Sequence, residues 1–316
     1  MPTRKTIWRR TGLFHSALAA VLLPLAAAHA ESCGLKLLAT LPMQDDVGGQ
    51  LVVPITVEGT QQKMVIDTGG FVGMLTSKTV EALKLPKFEM AGTAYSLNGT
   101  MEHFTKARVD VGPLHANAMQ FIVTRPFGRW ESEGIAGTLG QNFLQRFDLD
   151  LDYAAMKANV MLQDHCPGQV VYWSKAFAAM PFETDDNGHI LVPVTLDGKD
   201  FRAFIDTGST VSTLSATAGG KFASDESDMS QSNSGSYTVH LHSLVFGGVA
   251  VQNPHLDVVA DRIGQRIQSD EAMSGAIGTG RQGLPDVLIG NDILRHLHLY
   301  IAYNEKKLYV TAADAH

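Results

Sequence analysis

The chain has 316 residues, a net charge of −7, 45% hydrophobic residues and only two cysteines. An acidic surface repels phosphate backbones, and the sequence offers no basic run with interleaved aromatics, so nucleic acid is excluded as the expected partner. The length suffices for two compact lobes of ordinary size.

The first 30 residues predict a secretory signal peptide. The segment opens with four basic residues: Arg4, Lys5, Arg9 and Arg10. The apolar run Ala17–Ala28 follows, and it leads into the small-x-small cleavage pattern Ala28-His29-Ala30. Because this run is too short to span a bilayer comfortably, an uncleaved anchor is only the alternative. We therefore expect a periplasmic or secreted protein that leaves the membrane once residues 1–30 are removed.

The two cysteines are Cys33, near the start of the exported part, and Cys166, near the middle. Export exposes them to an oxidising compartment, which favours a disulfide between them. Such a bond closes a long loop and contributes about 4–5 kcal/mol at most in the chain-entropy model. Two separate buried thiols are the alternative.

The chain beyond the signal predicts an all-β protein with a few short helices. Runs rich in Val, Ile, Thr and aromatics are separated by Gly, Pro, Asn and Asp, which is typical of strands and turns. The predicted strands are Leu51–Val57, Lys63–Ile66, Ala107–Val111, Met119–Val123, Ile190–Leu196, Ala203–Ile205 and Tyr237–Val245. Helices are predicted over Lys78–Leu85 and from Gln141 and Asn291 onward.

One pair of residues predicts an exposed hairpin. Asn98-Gly99, flanked by Tyr95-Ser96-Leu97 and Thr100-Met101, is the dipeptide that a tight type I′ turn favours. Its small and polar neighbours indicate that this hairpin projects from the body of the protein.

The sequence contains an internal repeat. Val52–Ser77 aligns without a gap on Leu191–Ala216 at an offset of 139, with ten identities in 26 positions. A second pair of blocks, Leu139–Val160 and Ile289–Val310, aligns at an offset of 150. Two halves built on one plan follow, with boundaries at 31–166 and 167–316.

Each half brings an apolar strand into an Asp-Thr-Gly turn, at Asp67-Thr68-Gly69 and at Asp206-Thr207-Gly208. If the halves meet about a pseudo-twofold axis, the two carboxyls face each other and share a proton, because both cannot ionise cheaply. One then serves as acid and the other as base toward a water between them. Each Thr hydroxyl is predicted to bond to the partner turn. A single such turn would indicate only an ordinary strand end, whereas two in matched repeats favour chemistry.

At these motifs the chain resembles the retropepsin-like aspartic peptidases, in their exported bacterial form with two fused lobes. The motifs are VIDTGG at Val65–Gly70, FIDTGS at Phe204–Ser209, TLGQNFL at Thr138–Leu144 and LIGNDIL at Leu288–Leu294. The resemblance implies two closed β lobes of the acid-protease fold, related by a pseudo-twofold axis, with a cleft between them. It also implies hydrolysis of peptide or unfolded protein substrates without metal or cofactor. Both lobes lie in one chain, so a monomer is expected.

The resemblance assigns further residues to the site. Gly70 departs from the family pattern, which usually has Ser, Thr or Ala there, whereas Ser209 fits it. The hydroxyl at that position normally bonds to the outer oxygen of the carboxylate. Tyr95, with Asn98 and Gly99, is the candidate for a flap that closes on substrate. The alternative for Tyr95 is an aromatic side chain that only packs on its own lobe.

Two other functions compete with peptide hydrolysis. His240-x-His242 and His296-x-His298 each place two imidazoles on one predicted strand face, but a zinc site needs at least three ligands and no third is evident. An exported peptide- or protein-binding module that keeps the fold without cutting is the stronger alternative. Retention of both Asp67 and Asp206 favours the enzyme.

Overall fold

The computed structural model describes residues 34–45, 49–96, 99–126, 130–222, 229–231, 237–259 and 286–314, with the backbone alone for 91–96, 99–102 and 229–231. The predicted signal peptide and Cys33 lie outside these ranges, so the signal and the disulfide stay predictions. Within the described ranges no helix has the length and apolar character needed to cross a bilayer.

The N-terminal half forms a closed six-stranded barrel. The strands of this half, which include strands outside the barrel, are β1 Leu37–Pro42, β2 Gln44–Asp45, β3 Leu51–Val57, β4 Thr60–Ile66, β5 Met74–Thr76, β6 Phe88–Ser96, β7 Gly99–Val111, β8 Leu114–Thr124, β9 Ile135–Leu139, β10 Asp148–Asp152 and β11 Lys157–Met161. Its helices are α1 Ser77–Ala82, α2 Trp130–Glu133 and α3 Gln141–Leu144. The barrel runs β3-β4-β9-β5-β8-β7 and closes where β7 also pairs with β3. Closure removes the exposed strand edges that an open sheet would present.

The C-terminal half repeats the plan as a half-barrel. Its strands are β12 Ala178–Pro181, β13 Glu183–Thr184, β14 Ile190–Leu196, β15 Lys199–Ile205, β16 Thr213–Ser215, β17 Met229–Gln231, β18 Tyr237–His240, β19 Ser243–Phe246, β20 Val249–Gln252, β21 His255–Val259, β22 Val287–Ile289, β23 Leu297–Ala302 and β24 Lys307–Ala312. Its helices are α4 Ala216–Gly219, a 3-10 turn Gly220–Phe222, and α5 Asn291–Leu294. The mostly β prediction with few short helices is confirmed.

Two predicted elements differ from the structure. The strand predicted over Tyr237–Val245 is two strands, because the Asp197 carboxylate accepts the backbone N–H groups of His242 (3.0 Å) and Ser243 (2.7 Å) and interrupts the ladder. The helix predicted over Lys78–Leu85 ends at Ala82, since Lys84 adopts a left-handed conformation with φ 53°. Both differences arise from local backbone chemistry rather than from the hydrophobic pattern.

A six-stranded sheet joins the two halves in the order β1-β11-β10-β23-β24-β12, so each half contributes three strands. At its centre Asp150 lies opposite Tyr300, and these two residues are equivalent at the repeat offset of 150. Leu149 and Leu151 lie opposite Ile301 and Leu299 in the same mirrored register. The pseudo-twofold relation therefore passes between β10 and β23.

The sheet also lengthens the repeat beyond its predicted start. β1 pairs with β11 and β12 pairs with β24 in equivalent registers, with Pro42 opposite Lys157 and Pro181 opposite Lys307. Pro42 and Pro181 lie 139 residues apart, as the later repeat requires. The match of Pro42 with Pro181 at this offset was the sequence signal for β1 and β12, which the strand prediction left out.

Candidate active site

The two Asp-Thr-Gly turns stand at the ends of buried strands. Met64 and Val65 in β4, and Ala203 and Ile205 in β15, have no exposed surface. The N–H of Asp67 donates to the carbonyl of Leu139, and that of Asp206 donates to the carbonyl of Ile289, each at 3.0 Å. Each acid is thus fixed to a strand that enters one of the two matched glycine blocks.

The two predicted catalytic carboxyls lie against the same point. A Cβ built on Gly208 would lie 2.5 Å from Oδ1 of Asp67 and 3.1 Å from Oδ1 of Asp206. A Cβ built on Gly69 would lie 2.4 Å from Oδ1 of Asp206. Only glycine leaves room for this approach, which explains why each turn requires it beside the opposite acid.

The threonines join the turns reciprocally. The N–H of Thr68 donates to the hydroxyl of Thr207, and the N–H of Thr207 donates to the hydroxyl of Thr68, both at 3.0 Å. Each hydroxyl donates in turn to a carbonyl of the other half, Thr68 to Ile205 at 2.7 Å and Thr207 to Ile66 at 2.6 Å. Both threonines are buried. The predicted lock between the turns is present and holds the two carboxyls in fixed relation.

Burial raises the pKa of both acids, and the neighbouring charge adds to the rise for Asp67. Desolvation, then the charge of Asp206, raises the pKa of Asp67 to about 7, although bonds from Thr138, Gly69 and Gly70 oppose the rise. Desolvation also raises the pKa of Asp206, against the N–H groups of Gly208 (2.8 Å) and Ser209 (3.1 Å) on its Oδ1. Two acids so close titrate as a unit.

Gly70 and Ser209 depart from what the resemblance implies. A Cβ at position 70 would lie 2.7 Å from Oδ2 of Asp67, so any side chain there would have to displace this carboxylate. The hydroxyl of Ser209 donates to the carbonyl of Val211 at 2.8 Å, whereas its backbone N–H donates to Asp206. The expectation of a hydroxyl on the outer carboxylate oxygen is therefore wrong for Ser209. Oδ1 of Asp206 accepts the backbone N–H groups of Gly208 and Ser209.

A second set of polar side chains forms hydrogen bonds to the backbone of the catalytic turns, and the sequence did not predict them. We call these side chains the braces of the turns. The amide nitrogen of Gln141 donates to the carbonyl of Thr68, and that of Asn291 donates to the carbonyl of Thr207, both at 2.8 Å. Each amide oxygen accepts a hydroxyl from the other half: Tyr303 on Gln141 at 3.1 Å, and Tyr153 on Asn291 at 3.3 Å. The sequence signal for these side chains is that Gln141 aligns with Asn291, and Tyr153 with Tyr303, at the repeat offset of 150.

Gln50 forms another contact between the halves. Its amide nitrogen donates to the carbonyl of Gly208 at 3.1 Å, and its oxygen accepts the indole N–H of Trp130 at 2.6 Å. Trp130 is buried, so this chain of bonds connects the N-terminal barrel to the C-terminal catalytic turn.

The flap candidates are only partly described. A hairpin is formed by β6 and β7, in which Tyr95 pairs with Thr100 and Ser96 with Gly99. Gly99 is thus the first paired residue of β7 rather than the second residue of the turn. Asn98 and the side chain of Tyr95 lie outside what the structure describes, so their role at the substrate stays a prediction.

The histidines proposed for a metal site have other partners. Nδ1 of His240 lies 2.7 Å from Nδ1 of His255, and His242 contacts Asp197. The shared strand face predicted for the second pair is wrong, because His298 is buried in β23 against Asp150 at 2.6 Å and His296 lies in the turn before β23. In the part of the chain with described side chains, no group of three or more His, Cys, Asp or Glu is placed to hold a metal.

This fold, with two Asp-Thr-Gly turns joined between a barrel and a half-barrel, defines a two-lobed aspartic peptidase of the retropepsin-like type. A family model described as aspartyl protease matches residues 53–143 and 192–293, which together exceed half of the chain. The chain therefore belongs to the aspartyl protease family. The two matched segments begin and end at equivalent positions of the repeat, so each half alone carries the family pattern. A search of curated proteins found no match.

Proposed function

We propose that this chain is an endopeptidase that hydrolyses peptide bonds with a water activated between Asp67 and Asp206, one ionised and one protonated. The observation that carries the proposal is the approach of both carboxyls to one point beside Gly208. Membership of the aspartyl protease family supports a peptidase.

The proton is assigned to Asp67 in the resting state. Asp67 is 8% exposed, and burial together with the charge of Asp206 raises its pKa to about 7, whereas Asp206 is half-buried. Asp206 takes a proton from the water while the oxygen of the water bonds to the peptide carbon. Asp67 gives its proton to the carbonyl oxygen of the peptide. As the C–N bond breaks, Asp206 passes its proton to the leaving nitrogen and Asp67 recovers its own. The net change is one water consumed per peptide bond.

The expected substrates are extended peptides or unfolded proteins, met after export to the periplasm or outside. An extended chain exposes the backbone and the alternate side chains that a cleft recognises. No second subunit is needed to assemble the pair, because both aspartates come from one chain.

The test is cleavage of a reduced and alkylated protein by the purified chain between pH 3 and 8. We expect fragments at acidic pH and a loss of activity above about pH 7, where Asp67 ionises. Asp67→Asn and Asp206→Asn should each reduce kcat/KM by roughly a thousandfold or more, since each removes one half of the acid–base pair.

Asp110→Asn is the matched control, because Asp110 is paired with Arg108 and His115 at the surface of the N-terminal barrel. It should cleave like the wild type. A folded wild-type chain that leaves the substrate intact at every pH but retains it on a column would instead favour the peptide-binding module.

A further inference from the structure

We propose that His189, held by Asp185, is a positioning residue of the catalytic site that keeps Asp206 the ionised member of the pair. The inference rests on the proposed function and goes one step further, because it assigns the asymmetry between two acids that the repeat makes formally equivalent.

The register of the sheet places His189 beside Asp206. Leu191 of β14 lies opposite Phe204 of β15 in an antiparallel ladder. The ladder ends at this pair, and continuing its register by two residues on each chain brings His189 toward Asp206. The imidazole ring packs edge-on against Phe204, with the ring centres 4.6 Å apart. The imidazole therefore lies against the residue two positions before Asp206.

A carboxylate fixes the imidazole from behind. Nδ1 of His189 lies 2.7 Å from Oδ2 of Asp185, and the other oxygen of Asp185 accepts the N–H groups of Asn187 and His189, each at 2.9 Å. With Nδ1 committed to Asp185, Nε2 is the nitrogen left to face other groups. A carboxylate beside an imidazole favours the cationic form of the ring.

The neighbours of the His189 imidazole, among the described residues, include two acids. Asp185 lies on its own loop and Asp206 lies at the end of β15, with Asp67 directly beyond it. Gln141 and Gln145 approach the same loop at Gly188 and are neutral. Burial raises the pKa of Asp206, and the N–H groups of Gly208 and Ser209 and the charge of His189 oppose that rise.

The equivalent position in the other half is Gln50, 139 residues earlier. Gln50 follows a glycine with φ 81°, as His189 follows one with φ 78°, so the two backbones match. A neutral amide therefore precedes the strand pair that ends at Asp67, and an ionisable imidazole occupies the equivalent place in the half that carries Asp206. Two acids that share one proton need such a difference if the proton is to have a preferred side.

The experiment compares His189→Gln, which copies the other half, with the wild type by two readouts. Carboxyl carbon NMR follows the titration of Asp206 and Asp67 without requiring cleavage, and the pH profile of kcat/KM follows the acid limb of activity. We expect the lower apparent pKa of the pair to rise by about one unit in His189→Gln. The acid limb of activity should rise with it. His189→Arg, which keeps a positive charge, should restore the wild-type titration.

His115→Gln is the matched control, because His115 makes the same 2.7 Å contact with an aspartate, Asp110, at the surface of the N-terminal barrel. It should leave both readouts unchanged. An unchanged titration of the pair in His189→Gln overturns the positioning role. If the titration of the pair shifts in His189→Gln but the wild type never cleaves, the role of His189 is supported and the peptidase proposal is contradicted instead.

Discussion

In the described part of the chain, two pairs of carboxyls lie in or at the edge of the core, and their partners differ. Asp67 and Asp206 at the catalytic turns face each other and are bonded by N–H and hydroxyl groups. Asp148 and Asp150, the interlobe carboxylates, lie fully buried in β10, and each contacts a histidine at 2.6 Å: His165 on Asp148, His298 on Asp150. Burial of an acid is therefore common to both regions. The two regions differ in the group at hydrogen-bond distance: a histidine nitrogen on each interlobe carboxylate, and backbone N–H groups on Asp206 at the catalytic turns.

The interlobe carboxylates also anchor the segment that connects the halves. The hydroxyl of Tyr172 donates to Asp150, and the ring of Trp173 stacks on His298 with ring centres 3.8 Å apart. His165 and Tyr172 both belong to the connection between β11 and β12. The ion pairs thus fasten the junction between the lobes, on which the alignment of the two catalytic turns depends.

The largest expected effect is on the pH dependence of stability, and it tests whether the catalytic acids are buried without a cationic partner. Since the folded state raises the pKa of Asp67 from 3.8 to about 7, it binds a proton more tightly than the unfolded chain. The free energy of unfolding should therefore fall as the pH rises from 4 to 7, by an amount on the order of 4 kcal/mol from this group. Asp67→Asn should remove that part of the slope, as measured by urea unfolding at several pH values.

Asp110→Asn serves as the control for this slope. Bonds from Arg108 and His115 hold the pKa of Asp110 below its usual value, so its stabilising contribution is lost only as the pH falls further. The slope between pH 4 and 7 should survive in that variant. An equally steep slope in Asp67→Asn would mean that other groups govern the pH dependence.

The next largest effect is the loss of stability when an interlobe carboxylate, like the catalytic ones, no longer has a histidine in contact with it. His298→Leu leaves Asp150 buried without its histidine, and removal of one partner of a buried pair is strongly destabilising. We expect a loss of about 3 kcal/mol in the free energy of unfolding, larger at pH 8 than at pH 4, because an isolated buried carboxyl favours its neutral form.

The pH dependence distinguishes this loss from a mere loss of packing against Trp173, which would be the same at both pH values. His115→Leu, at an exposed ion pair, should leave the stability nearly unchanged. Cleavage per folded molecule should persist in His298→Leu. A variant as stable as the wild type at pH 8 would show that the pair does not hold the lobes.

The contrast between the two regions also explains what the sequence predicts and what it does not. The catalytic acids are marked by a repeat, since Asp67 and Asp206 stand in matched strand-end turns. The acids of β10 alternate as Asp148, Asp150 and Asp152, a pattern typical of a solvent-facing strand. Their burial depends on β23 and on the connecting segment, both distant in sequence, so no local pattern reveals it.

The same limit applies to side chains that complete the site. Gln141, Asn291, Gln50 and His189 each act on a backbone or acid of a neighbouring strand or of the other half, and single-sequence periodicity carries no such information. The repeat offset was the exception, because it relates Gln50 to His189 and Gln141 to Asn291 before any contact is known.

The smallest expected effect concerns the braces of the catalytic turns. Burial raises the pKa of the hydroxyls of Tyr303 and Tyr153, so both remain donors at working pH. Tyr303→Phe removes the donor to Gln141, whose amide nitrogen holds the carbonyl of Thr68. We expect a loss of about 1 kcal/mol in the free energy of unfolding. We also expect a fall of less than about tenfold in kcat/KM, from a looser turn at Asp67.

Tyr153→Phe is the internal comparison, because it removes the equivalent donor to Asn291 in the other half. Its bond is longer, 3.3 Å against 3.1 Å, so its loss should cost no more than that of Tyr303. Urea unfolding and steady-state kinetics of the two variants measure the pair. Equal cleavage and stability in all three proteins would show that the amides hold the turns without the tyrosines. A fall confined to kcat/KM would place the braces in the catalytic geometry rather than in the stability of the fold.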